Sequence, residues 1–68
     1  MTRIRVNGVE EEVAAMTVSE LLAVRGVDPL ARFLAVAING SVVRRSEWCS
    51  KSLAPGDQVE IVRPFSGG

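Results

Sequence analysis

Histidine is absent from the 68 residues, and cysteine occurs once, as Cys49. Without histidine the chain lacks the commonest general base and the commonest metal ligand. One cysteine cannot make a tetrahedral zinc site of the usual kind or an internal disulfide, and it fits a reducing compartment. An excess of charge of one sign is also missing: eight basic and eight acidic residues cancel. A nucleic-acid binder is expected to show a basic face, and a membrane-surface binder a polybasic patch, so neither partner is expected. The longest apolar run, Phe33 to Ile38, is far short of the roughly 20 residues that span a bilayer. The start, MTRIRVNG, has no apolar core of a secretory signal, so a cytoplasmic location is expected. GxGxxG and the Walker lysine motif are lacking too. These absences leave the domain little chemistry of its own on its side chains.

What is present is enough for one fold. A chain of this length is a single domain that buries about 60% of its unfolded surface, and 47% hydrophobic residues supply a core and argue against disorder. In RIRVNGVEEEV, Ile4 and Val6 alternate with Arg3 and Arg5, the period of a half-buried strand. Asn7-Gly8 is a strong hairpin signal, because both central residues of a type I′ turn need positive φ. A two-residue turn sets Val6 opposite Val9, Arg5 opposite Glu10 and Arg3 opposite Glu12, pairing opposite charges on one face. Glu11 then faces inward beside Val9 and Val13, so the second strand is expected at a sheet edge unless the turn is longer.

MTVSELLAVRGV carries helix signals at both ends. Thr17 and Glu20 have capping-box spacing, with Met16 and Leu21 at the hydrophobic-staple positions. Gly26 suits a left-handed C-terminal stop, with Val27 closing a Schellman motif against Leu22. The expected helix runs roughly from Val18 to Arg25, with Val18, Leu21 and Leu22 on its apolar side. Asp28-Pro29 predicts a short helical turn. LAVAING reads as a strand buried from both sides, with Val36 and Ile38 on one face and Asn39-Gly40 turning the chain into SVV. Ser46 is expected to cap one helical turn carrying Glu47 and Trp48. Pro55-Gly56-Asp57 is a turn by composition, and QVEIVRPF is the last strand, with Val59 and Ile61 inward and an end near Arg63, because Pro64 cannot donate to a ladder. The order is β-β-α-β, a short strand or turn, then β: an α+β domain with one main helix on one face of a sheet of four to five strands. The first and last strands are candidates for neighbours in mid-sheet.

The stretches VNG, TVSELL, AVAINGSVVRRSEW and PGDQVEIVRPFSGG together resemble the ubiquitin-like sulfur carriers of the β-grasp fold, most closely the ThiS family, over essentially the whole length. The most specific part is the GDQVEIV strand followed shortly by Gly67-Gly68. The resemblance implies a mixed β-grasp sheet over residues 1–63 and a flexible tail, 64–68, ending in Gly-Gly. It implies that the Gly68 carboxylate is adenylated with ATP by a partner of the ThiF class, receives sulfur from a cysteine-desulfurase relay, and passes it as a thiocarboxylate to a ThiG-type thiazole synthase in thiamine biosynthesis. It further implies a co-substrate rather than an enzyme, with no bound cofactor: the carrier binds no ATP itself, and its partner uses it. Gly67 is the other motif position, Phe65 and Ser66 lie on the approach, and Val62 flanks the tail.

Elementary chemistry supports such a tail. A carboxylate is a poor electrophile, and the enzyme that activates it must hold it against ATP in attack geometry. Residues without a Cβ let a backbone enter a narrow channel. Val62 and Phe65 are expected on the sheet face away from the helix, where an apolar patch marks a partner site. Cys49 reads as a small semi-buried side chain rather than a relay thiol, Trp48 as a packing residue and Arg44-Arg45 as a solvated turn. The free protein is expected to be a monomer. Alternatives are a molybdopterin-synthase small subunit of the MoaD type, a carrier for cysteine biosynthesis, a ubiquitin-like modifier of lysines, and a β-grasp binding module with an incidental Gly-Gly end. The short length favours the ThiS type over longer carriers.

Overall fold

In the computed structural model, which describes residues 1–63, Asn7 and Gly8 take φ values of 50° and 84°, as a type I′ turn requires. They join β1 (Thr2–Val6) to β2 (Val9–Val13) in the register expected from a two-residue loop: Val6 faces Val9, Arg5 faces Glu10 and Arg3 faces Glu12. β2 lies at the sheet edge. Glu11, on its helix-facing side, is half-buried and accepts a 2.8 Å ion-pair hydrogen bond from Arg25. That cation resolves the conflict of a carboxylate among apolar neighbours.

Helix α1 (Val18–Val24) starts at Thr17 with a complete capping box. Its first amides are all satisfied. Val18 N–H donates to the Lys51 carbonyl and Ser19 N–H to the Trp48 carbonyl, and Glu20 N–H donates to Thr17 Oγ1. The stop is a full Schellman motif: Gly26, with φ of 71°, donates to the Ala23 carbonyl and Val27 N–H donates to the Leu22 carbonyl at 2.9 Å, the two bonds that define it. Val18, Leu21 and Leu22 are fully buried, each contributing about 1.5–3 kcal/mol by burial. The expected staple is not made on the Met16 side, since that side chain is exposed. Met16 is tied instead through its backbone, which donates to Glu20 Oε1 and accepts from Leu53 N–H.

Asp28–Ala31 forms one hydrogen-bonded turn rather than a helical turn: Ala31 N–H donates to the Asp28 carbonyl, and Leu30 N–H to Asp28 Oδ1. β3 (Ala35–Ile38) and β4 (Ser41–Val43) then form a second hairpin around Asn39-Gly40, and β5 (Gln58–Val62) closes the sheet. The strand order is β2-β1-β5-β3-β4, with β1 and β5 parallel at the centre and the other pairs antiparallel. This five-stranded mixed sheet with one helix is the β-grasp architecture.

The core joins Ile4, Val6, Val36, Val59 and Ile61 of the sheet to the helix, with Trp48 as its largest side chain. Among the described residues no polar or charged residue is buried. β3 departs from the reading of burial on both sides: Val36 and Ile38 are buried, but Ala35 is exposed and Ala37 only half-buried. One helix covers one face, and the small alanines occupy the uncovered one.

The 44–49 segment also differs from expectation. A 3-10 turn (Arg45–Glu47) begins at Arg44 with no side-chain cap, so Ser46 lies inside it and caps nothing. Arg44 and Arg45 are both exposed, as expected of a solvated turn, and Arg45 in addition makes specific contacts. Residues three apart eclipse on a 3-10 turn, which sets its guanidinium 4.8 Å from the Trp48 ring centroid, and it donates to the carbonyls of Pro29 and Ala31. Trp48 is buried and donates from Nε1 to the Val43 carbonyl at 2.9 Å. Because Trp48 takes the inward position, Cys49 beside it is exposed rather than semi-buried, and the Ser19 hydroxyl donates to its sulfur at 3.3 Å.

Candidate functional site

The strand period decides what the uncovered face displays. Val36, Ile38, Val43, Val59 and Ile61 point into the core, so their alternates Ala35, Ala37, Val42, Glu60 and Val62 point the other way. The ladder sets these outward residues side by side: Ala37 faces both Val42 and Glu60, and Ala35 faces Val62. Val42 is 76% exposed and Val62 58%. On the β1–β2 side the same face carries Arg3, Arg5, Glu10 and Glu12, with Arg3 bonded to Glu12 at 2.7 Å. The face therefore divides into a charged part on β1–β2 and a strip of Ala35, Ala37, Val42 and Val62 on β3, β4 and the end of β5, with the exposed Glu60 carboxylate beside Ala37.

Val62 stands on the open face at the last step of the β3–β5 ladder. Phe65, Ser66, Gly67 and Gly68 lie outside the described residues. Sequence reading did not single out Ala35, Ala37 and Val42 as neighbours of Val62; the two-residue period in AVAI and SVV carried that signal, but only the β3–β5 and β3–β4 registers bring the residues together. Phe33 and Leu30, 79% and 81% exposed, were also missed. Among the described residues no cluster of three or more His, Cys, Asp or Glu side chains is placed to hold a metal ion, and no helix is long and apolar enough to cross a membrane.

The ThiS family model matches residues 4–68, nearly the entire chain. This chain belongs to the ThiS family. Two solved structures agree with the assignment. The crystal structure of the thiamine biosynthesis protein ThiS from Geobacter metallireducens is 30% identical, with a TM-score of 0.79, and the match covers 98% of this chain and 100% of that one. The solution NMR structure of a thiamine biosynthesis protein from the same organism gives the same identity and TM-score over 98% of this chain and 88% of that one. No curated protein matches the chain. The ThiS family consists of small sulfur carriers of thiamine biosynthesis that are generally not catalytic.

Proposed function

We propose that this chain carries sulfur for the thiazole moiety of thiamine on the carboxyl group of Gly68. The observation that carries the reading is that the family match runs through the terminal Gly67-Gly68 pair; the likeness to two thiamine biosynthesis proteins supports the pathway. A terminal carboxylate oxygen attacks the α-phosphorus of ATP in the active site of a ThiF-class partner, and pyrophosphate leaves. The outer sulfur of a persulfide supplied by a cysteine-desulfurase relay then attacks the carbonyl carbon and displaces AMP, and a thiol cleaves the resulting acyl disulfide, leaving a thiocarboxylate for thiazole synthase and a disulfide on the relay. The apolar strip of Ala35, Ala37, Val42 and Val62 is the docking surface, with Phe65 and Ser66 on the approach and glycines where the channel is narrowest.

Reaction of the full-length protein with ATP, sulfide and its ThiF-class partner is expected to replace one oxygen by sulfur in a C-terminal peptide, read by mass spectrometry. The change must map to that peptide, because oxidation of Met1 or Met16 adds nearly the same mass. Deletion of Gly68 should abolish the product and fail to restore growth without thiazole; restored growth would sink the proposal. Thiol-resistant conjugates of higher mass would point instead to a ubiquitin-like modifier.

A further inference from the structure

Phe33 has a backbone φ of 62° and a side chain that is 79% exposed. The other described residues with positive φ are Asn or Gly, types that enter this region readily, whereas for a bulky residue it is a real outlier. Strain of this kind persists where surrounding structure imposes it, and it clusters at functional sites. An exposed phenyl ring on such a backbone stabilises nothing in the core to offset the strain.

Its surroundings hold it in place. The preceding turn is closed by Asp28, which accepts from Leu30 and Ala31. Arg45, stacked on buried Trp48, donates to the Pro29 and Ala31 carbonyls. Leu34, the next residue, is buried. Phe33 is thus displayed on a braced loop, and a preorganised contact loses less entropy on binding.

Its location links it to the chain end. Ala35 faces Val62 at the last step of the antiparallel β3–β5 ladder. Going back from Ala35 to Phe33 therefore follows the same direction as going forward from Val62, so Phe33 stands at the end of the sheet from which the last strand departs. If Gly68 is the reacting residue, the five residues after Arg63 reach at most roughly 17 Å even when extended. A partner that takes the carboxylate into its active site must then press close to this end of the sheet.

We infer that Phe33 is a specificity-determining contact for the enzyme that activates the terminal carboxylate, seated in an apolar recess of that enzyme. The inference rests on the sulfur-carrier proposal, and it selects the activating enzyme because the unmodified chain must meet that enzyme before any sulfur is attached. Aromatic side chains buried at the centre of an interface carry a disproportionate share of affinity.

The test is ATP–pyrophosphate exchange by the cognate ThiF-class enzyme with full-length wild-type, Phe33→Gly and Phe33→Tyr carriers, alongside thermal melts of each. Phe33→Gly relieves the strain and removes the ring. It should leave the melting temperature unchanged or higher and raise KM for the carrier about tenfold, with kcat within about twofold. Phe33→Tyr keeps the ring and should restore a near-wild-type KM. An unchanged KM for Phe33→Gly overturns the inference, as does a fall in kcat alone. Normal activation with impaired sulfur donation to thiazole synthase overturns the choice of partner. Absence of exchange with the wild-type carrier is a separate failure, that of the carrier proposal itself.

Discussion

The amide of Asn7 accepts a hydrogen bond from Ile61 N–H at 2.8 Å and donates to the Ile61 carbonyl at 3.3 Å, while its backbone holds the left-handed conformation of the hairpin turn. Asn39 acts similarly in the second hairpin, accepting from Gln58 N–H at 2.9 Å and donating to Asp57 Oδ1. Both turn residues therefore bond to β5 with their side chains in addition to their backbone amides, which donate to the Val59 and Gln58 carbonyls. Asn7→Gly keeps a residue that tolerates the turn and removes only the side-chain bonds. It should cost about 1 kcal/mol, the net worth of one or two such bonds, read as a lower urea midpoint; an unchanged midpoint would show that water replaces them without loss. Phe33 is the opposite case at this scale. Its left-handed backbone costs on the order of 1–2 kcal/mol, so its replacement by glycine separates folding from binding.

At the scale of elements, the β1–β2 hairpin shows how charge shapes a strand pair. On its outer face Arg3 is bonded to Glu12, and that hydrogen bond, followed by the attraction of the guanidinium, holds the Glu12 carboxyl below its usual value. A carboxylate with a lowered folded-state pKa adds stability above the unfolded-state pKa and loses it as the pH falls through the folded-state pKa. Both side chains are well exposed, so the contribution is small and screened by salt. Glu12→Gln is expected to flatten the acid limb of a stability-against-pH curve at low salt, with the two curves merging at high salt. A difference that persists at high salt would mean that the pair acts through packing. On the inner face Glu11 serves differently: held by Arg25, it places a charge on an edge strand, where exposed pairing groups invite association with other chains.

For the whole molecule, the deciding fact is that one helix covers one side of a five-stranded sheet. The covered side collects the core; the uncovered side divides into a charged part on β1–β2 and a mainly apolar part built from β3, β4 and the end of β5, where Glu60 is the one carboxylate. Under the proposed function, this strip is where a partner that handles Gly68 docks. Val42→Glu puts a charge on this strip without touching the core. The melting temperature should hold, because exposed substitutions change stability by about 0.5 kcal/mol or less, while KM for activation should rise about tenfold if Val42 lies near the centre of the contact. Normal activation of Val42→Glu would place the contact elsewhere on the molecule.

Local chemistry made much of this architecture readable in advance. The Asn-Gly turns, the Thr17–Glu20 box, the Gly26 stop and the alternation in β1 and β5 each depend on interactions within a few residues, and so the hairpin register, the helix and the β2 edge could be derived from the chain alone. The likeness to ThiS rested on the same local stretches. Interactions across long separations were not encoded that way. Whether the apolar AVAI strand was covered on both faces depended on how many layers the fold possesses. Arg45 found Trp48 and the 28–31 turn only after the chain had folded back, and Cys49 faced outward because Trp48 had taken the core position. Phe33 carries no sequence mark of its left-handed backbone, since that conformation is imposed by the braced turn before it and the buried Leu34 after it. Short-range hydrogen bonding and periodicity determined the elements, and packing between distant segments decided which faces were left open.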